Sequence, residues 1–409
     1  MVHRKVAFRS ALLFALVLPA FAHAASQSRC EAADHGMVSG GDDNLAALTR
    51  TLAACAGQTI HIAAGTYDLS PNGFATGLTV PADTAIVGDG GYGAAPQTIL
   101  RVANSGNFAA LFWIRNVSNV SIQGLRLEGS SYDSGCGRHL DYGHAIYLYS
   151  DQGAAAGVEG VTISGNAFHN FNGQSWLILN AQPGSPGIGQ NSSINVSGNY
   201  FESDAGLSGG CSATGGIGYP TAMVWLHGSD TSAQGLVSNV SVASNTFNAG
   251  FVKGAVAIWS GTYRISVQDN VMRDTGLNLP AVPGTELGRY AILIYNSAHS
   301  ATQELAGLHP DTISVVGNEI TNPVSCGIYV AKGQNLEING NRISGQRDRF
   351  DGTLPKGAIA LNHAAKVLSL KDNELTGNYI GISSVGSELN LGTNRIVAAG
   401  GGAATKIVR

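Results

Sequence analysis

One short pattern returns along this chain and limits what it can fold into. Its clearest copy is SCGIYVAKGQNLEINGNRISG, residues 325–345. Ile328 and Val330 alternate with Gly327, Tyr329 and Ala331, the period of two expected of a strand. Lys332-Gly333-Gln334-Asn335 is a turn cluster. Leu336-Glu337-Ile338 alternates again, Gly340-Asn341 is a tight turn, and Arg342-Ile343-Ser344 is a third short strand. Related copies begin near His144, Trp176, Met223, Ala255, Ala291, Ala358 and Ile380. The turn asparagine recurs as Asn166, Asn199, Asn245, Asn270, Asn318, Asn341, Asn373 and Asn394.

Such a unit has one apolar face and is too small to bury it alone. Stacked copies bury a continuous core and pair each strand with those above and below, about 4.8 Å away. An asparagine tolerates the left-handed backbone region, and its amide can bond to the asparagine of the next turn of the coil. The asparagine column is therefore expected to be a structural ladder. The pattern resembles the right-handed parallel β-helix of the pectin-lyase-like superfamily across nearly the whole chain after its first residues. That resemblance implies an all-β, single-stranded right-handed solenoid with an N-terminal capping helix. The superfamily includes lyases, hydrolases, epimerases, tailspikes and adhesins, so it leaves the activity open.

A coil grows in one dimension, so 409 residues fit one domain. The 55 glycines suit many turns, and a formal net charge of −4 gives no reason to expect nucleic acid as a partner. Residues 1–24 read as a signal peptide. His3-Arg4-Lys5 and Arg9 precede an apolar run, and Ala22-His23-Ala24 is a small-x-small cleavage site. The domain is expected to span 25–409, exported to the periplasm or medium, with no membrane in its mature form. Export permits disulfides, and the five cysteines leave at least one unpaired within the chain. The expected pairs are Cys30 with Cys55 and Cys136 with Cys211. Cys326 shares the inward parity of Ile328 and is expected to be a buried free thiol. Residues 45–54, after Asp42-Asp43-Asn44, read as a capped amphipathic helix that resembles the plug of secreted β-helices. The tail GGGAATKIVR reads as a frayed end or weak cap.

If Ile146, Leu177, Val224, Val256, Ile292, Ile328, Ile359 and Ile382 point inward, alternation assigns columns on the outer face of the first strands. One column holds Tyr147, Ile178, Trp225, Ala257, Leu293, Tyr329 and Ala360. Its neighbour holds Tyr149, Asn180, His227, Trp259, Tyr295, Ala331 and Asn362. At the strand starts stand Gln174, Thr221, Lys253, Arg289, Ser325 and Lys356. Aromatic rings with polar tips suit a sugar, which has an apolar ring face and a hydroxyl edge. Eight coil turns give a groove about 40 Å long, and insertions at 130–142, 181–191, 203–220, 277–288 and 345–356 are expected to wall it.

None of those outward positions is an acid, whereas glycoside hydrolysis uses two carboxyl groups. Eliminative cleavage of a uronate polymer instead needs a cation for the carboxylate, a base for the α-proton and an acid for the leaving oxygen. The candidates for catalysis are His227, Lys253, Arg289, Tyr295, Tyr149, Asp141 and His144. For substrate binding they are Tyr147, Asn180, Trp225, Trp259, Tyr329, Lys356 and Asp230. The expected activity is that of a polysaccharide lyase or a C5-epimerase on an acidic glycan. The alternatives are a glycoside hydrolase or transglycosidase using the carboxylates Asp141, Asp151, Asp230, Asp274 and Glu286, or a non-catalytic glycan-binding coil. No Cys/His spacing typical of zinc and no acidic calcium loop is present, so no cofactor is identified, with calcium left open. The oligomeric state is left open as well.

Overall fold

The computed structural model describes residues 28–70, 77–93, 97–102, 109–129, 143–151, 157–171, 175–181, 190–203, 222–229, 236–278, 289–296, 308–348 and 356–408. The 30 strands among them pair only in parallel and only with strands one coil turn away. Three columns of strands result, here called sheets A, B and C in the order each turn visits them. Sheet A climbs through Ala110–Arg115, His144–Ser150, Ser175–Ala181, Ala222–His227, Gly254–Ile258 and Tyr290–Tyr295 to the first half of Cys326–Asn339. The chain is a right-handed parallel β-helix, as its repeat implied.

The column from Ile146 to Ile382 is in register from strand to strand and almost wholly buried inside the coil. Sheet C adds Phe168, Phe201 and Phe247, whose rings stack at centroid distances of 4.5 and 4.7 Å, close to the strand spacing.

The asparagine ladder is continuous from Asn166 to Asn394. At each step the side-chain oxygen of one asparagine accepts from the backbone N–H and the side-chain amide of the asparagine one turn earlier. The left-handed conformation, however, belongs to the residue before the asparagine. Gly165, Gly198, Ser244, Asp269, Gly317, Gly340 and Asp372 have φ of +53 to +68°. That residue turns the chain, and the asparagine side chain is left to point inward.

Helix Leu45–Ala54 closes the N-terminal end, burying Ala47, Leu48, Thr51 and Leu52. Its capping differs from expectation. Asn44 turns its side chain to the backbone of Val38, and Asp43 Oδ1 accepts the N–H of Leu45 at 2.9 Å. The tail is not frayed: Arg395–Val408 is the last strand and pairs with Glu374–Val385. Cys30 and Cys55 form the expected disulfide, tying the first strand to the end of the helix. Cys136 and Cys211 lie outside the described residues, as does the expected signal peptide. No helix of the described residues is long and apolar enough to cross a membrane.

Near this cap, His61 has a carboxylate on each ring nitrogen, Glu31 Oε2 and Asp89 Oδ1, both at 2.7 Å. Burial disfavours the charged ring, but the bonds to Asp89 and Glu31 outweigh it and raise the His61 pKa. The bonds from His61, then Arg29, hold Glu31 low, and those from His61 and the Ala64 N–H hold Asp89 low. For His61 the stabilisation is full below its unfolded value of about 6.5 and is lost as pH rises through the raised value. For the two acids it is present above about 4 and lost as pH falls through their lowered values. The protection of strand Thr59–Ile62 from hydrogen exchange, corrected for the base-catalysed intrinsic rate, is therefore expected to be greatest in mildly acid buffer and to fall toward alkaline pH. His61→Gln should remove that alkaline loss of protection. An unchanged profile would show that the clasp contributes nothing.

Candidate functional site

The outward columns of sheet A exist, but they are not one open groove. In the first, Ile178, Trp225, Ala257, Leu293, Tyr329 and Ala360 are buried and form a second apolar cluster outside the coil. Trp225 and Tyr329, expected to bind substrate, are 8% and 7% exposed. Tyr329 Oη accepts from Asn362 Nδ2 at 3.1 Å, and burial pushes its pKa up to about 12. They support neighbouring side chains from below. Tyr147 is half-buried and repeats the same device, accepting from Asn180 Nδ2 at 3.0 Å.

The second column is half-exposed at Tyr149, Asn180, His227, Trp259 and Tyr295, on five successive strands. At the strand spacing these span about 19 Å, half the expected groove. The rings brace one another. His227 lies flat on Trp225, with centroids 5.2 Å apart, and meets Trp259 edge-on at 5.5 Å. Trp259 meets Tyr295 at 5.4 Å, and Trp113, Tyr147 and Tyr149 form a second group at 5.4 to 6.2 Å. Trp113, Trp225 and Trp259 each bury an indole N–H that has no hydrogen-bond partner among the described residues, and Asn180 Oδ1 has none among them either.

Tyr149 is protonated at neutral pH, because burial and the nearby Asp151 raise its pKa against the pull of Arg115. Asp151 closes this end. It takes two bonds from Arg115, at 2.6 and 2.9 Å, and one from Asn116 at 2.6 Å. The Arg115 and Asn116 bonds hold it ionised against burial, which unsuits it to act as a general acid.

Lys253 and Arg289 stand at corresponding positions just before the adjacent strands Gly254–Ile258 and Tyr290–Tyr295, as expected, with Tyr290 N–H donating to Lys253 O at 3.0 Å. They are not beside His227. Lys253 comes six positions before Trp259, and Arg289 six before Tyr295, so the two groups lie about 20 Å apart across sheet A. Burial and Arg289 together lower the Lys253 pKa. The Arg289 stem packs on Gly276 and its Nη1 donates to Gly276 O at 3.2 Å. Asp274 accepts from Asn322 at 3.0 Å. Lys356 has a carboxylate 3.9 Å away, Asp348, which also accepts from Ser325 at 2.8 Å. His144 is buried and its Nδ1 donates to Ser175 O. Its expected partner Asp141, like Asp230 and Glu286, lies outside the described residues.

Cys326 is a buried thiol, and burial pushes its pKa up to about 12. It is not inside the coil. The strand starts break alternation: Met223 and Val224 both join the inner core, as do Ala255 with Val256 and Ala291 with Ile292. Ala222, Tyr290 and Cys326, one residue earlier, therefore join the outer cluster. Around the disulfide, His35 Nε2 lies 3.3 Å from Cys30 Sγ and 3.2 Å from Cys55 Sγ. Sequence spacing did not single out this histidine; the short interval from Cys30 to His35 was its one signal.

No protein-family model matches the chain, and no curated protein matches it. Solved structures do. PfbA, a surface adhesin of Streptococcus pneumoniae, is 13% identical with a TM-score of 0.55, over 92% of this chain and 93% of that one. A mutant tailspike protein of E. coli bacteriophage HK620, in complex with a pentasaccharide, is 13% identical with a TM-score of 0.59, over 93% of this chain and 65% of the tailspike. The A-module of Azotobacter vinelandii mannuronan C-5 epimerase AlgE4 is 14% identical with a TM-score of 0.47, over 93% of this chain and 97% of the module. At these identities the likeness is one of fold alone, and that fold is the right-handed parallel β-helix.

Proposed function

We propose that this is an exported protein that binds an acidic polysaccharide on the outer face of sheet A and cleaves it by β-elimination or epimerises it at C5. The observation that carries the reading is the half-exposed column Tyr149–Asn180–His227–Trp259–Tyr295. Ring faces at the strand spacing suit sugar rings, and the half-exposed amide, imidazole and hydroxyl tips of the column suit sugar hydroxyls. A tailspike protein that shares this fold was solved in complex with a pentasaccharide, which supports a glycan as the ligand class.

His227 is the base. It removes the proton beside the sugar carboxylate, while the amide of Asn180, its neighbour in register, hydrogen-bonds the carboxylate in place of the cation expected there, since Lys253 and Arg289 stand at the far margin of sheet A. Tyr149 and Tyr295 stand two strands away on either side, and the hydroxyl of one of them donates to the leaving oxygen. Return of the proton to the opposite face of the sugar gives the epimer instead. Lys253 and Arg289, at the far margin, hold a carboxylate of another residue of the chain. The Cys30–Cys55 disulfide fits export to an oxidising compartment.

A panel of acidic and neutral polysaccharides tests this, assayed for unsaturated uronate absorbance, epimer ratio and reducing ends. Unsaturated ends or changed epimers on acidic chains alone are expected. Reducing ends without unsaturation would transfer the activity to carboxylate-based hydrolysis. Tight binding with no chemistry would make the protein a glycan-binding coil.

A further inference from the structure

We propose that Cys30, His35 and Cys55 form a zinc site when the two thiols are reduced, so that one clasp at the coil's N-terminal cap has an oxidised and a metal-bound form. The argument is independent of the glycan face. Three ligand atoms, Cys30 Sγ, Cys55 Sγ and His35 Nε2, lie within 4.8 Å of one another. Zinc–sulfur bonds near 2.3 Å and zinc–nitrogen bonds near 2.0 Å at a tetrahedral angle put sulfur and nitrogen about 3.5 Å apart. His35 Nε2 is already 3.2 and 3.3 Å from the two sulfurs. With the Cα atoms of the cysteines 6.1 Å apart, only the side chains must open to admit the ion.

The histidine is held there by the backbone. It ends the turn Ala32–His35, and Gly36, at φ +92°, reverses the chain behind it. Arg50 Nη2 donates to His35 O at 3.2 Å. Cys55 is buried and the other two ligands are half-buried, so the site is shielded yet reachable. The chemistry balances with an external dithiol as reductant. Its two thiols give two electrons and two protons to the Cys30–Cys55 bond, which opens to two thiols as the dithiol closes to its own disulfide. Zinc then displaces both thiol protons to solution and takes the neutral imidazole as third ligand, with water in the fourth position.

The test uses the full chain, reduced anaerobically with a phosphine and titrated with Zn²⁺ against a chromophoric chelator. The Cys30→Ser/Cys55→Ser variant, which keeps Cys136, Cys211 and Cys326, reports zinc held elsewhere. Reduced wild type is expected to bind one equivalent more than this variant, and the oxidised protein is expected to lack that equivalent. His35→Ala should weaken binding more than about tenfold. Zinc should also raise the melting temperature of the reduced wild type and leave that of the double variant unchanged. Equal zinc content in wild type and double variant, or full affinity in His35→Ala, overturns the proposal. So does a reduced chain that loses its fold and is not restored by zinc.

Discussion

Replacing Asn245 with alanine is expected to lower stability by about 3–5 kcal/mol, far more than any surface change. Asn245 sits mid-ladder and is 1% exposed. Its Oδ1 accepts from the backbone N–H of Asn199 at 2.9 Å and from the Asn199 amide at 3.0 Å. Its own amide donates to Val196 O and to Asn270 Oδ1, at 2.9 and 3.0 Å. Alanine leaves two donors and a carbonyl without partners where water does not reach, and each such group costs about 1–3 kcal/mol. Aspartate is not a rescue, because it keeps the acceptor but loses the donors and brings a charge inside. The measurement is the denaturant midpoint, with Ser241→Ala on the outside of sheet B as the near-neutral comparison. A midpoint for Asn245→Ala within error of that comparison would show that the ladder is ornamental. Coils lose cooperativity along their length, so exchange of amides near 199 and 270 should quicken most.

The coil was legible in the sequence because its cause is local. A period of two within each strand and a repeating turn asparagine leave few other ways to bury the apolar face. What the spacing could not show was which residue of the turn bends. Gly198 and Ser244 take the left-handed backbone, which frees Asn199 and Asn245 to face inward. Either arrangement gives the same sequence pattern.

The outer face was less legible, for two physical reasons. Alternation predicts faces only while the strand stays regular, and at each start of sheet A two successive residues turn inward. That slip put Cys326 outside the coil. Alternation is also silent on what covers an outward residue. Trp225 and Trp259 occupy adjacent columns of the same face, yet one is buried and the other half-exposed. Distance along a strand was readable from the start, since six residues of strand cannot bring Lys253 within reach of a sugar beside Trp259. His35 was hidden because its neighbour across the disulfide, Cys55, is 20 residues away.

That separation yields the sharpest expectation for activity. On an acidic polysaccharide, His227→Ala should lower kcat by about 10²–10⁴, the usual worth of a positioned base, with little change in KM. Lys253→Ala should leave kcat nearly intact and raise KM, because a cation about 20 Å from the base affects binding and not proton transfer. The KM rise should fade in high salt, which screens the same interaction in the wild type. Neither substitution should move the melting temperature much. His227 is half-exposed, and removing Lys253 relieves repulsion from Arg289. Loss of kcat in both variants would mean that Lys253 reaches the reacting sugar after all, and that the two margins meet in a closed form of the face. Full kcat in His227→Ala would remove the base and with it the elimination chemistry. The stacked rings would then remain as a platform that only holds its glycan.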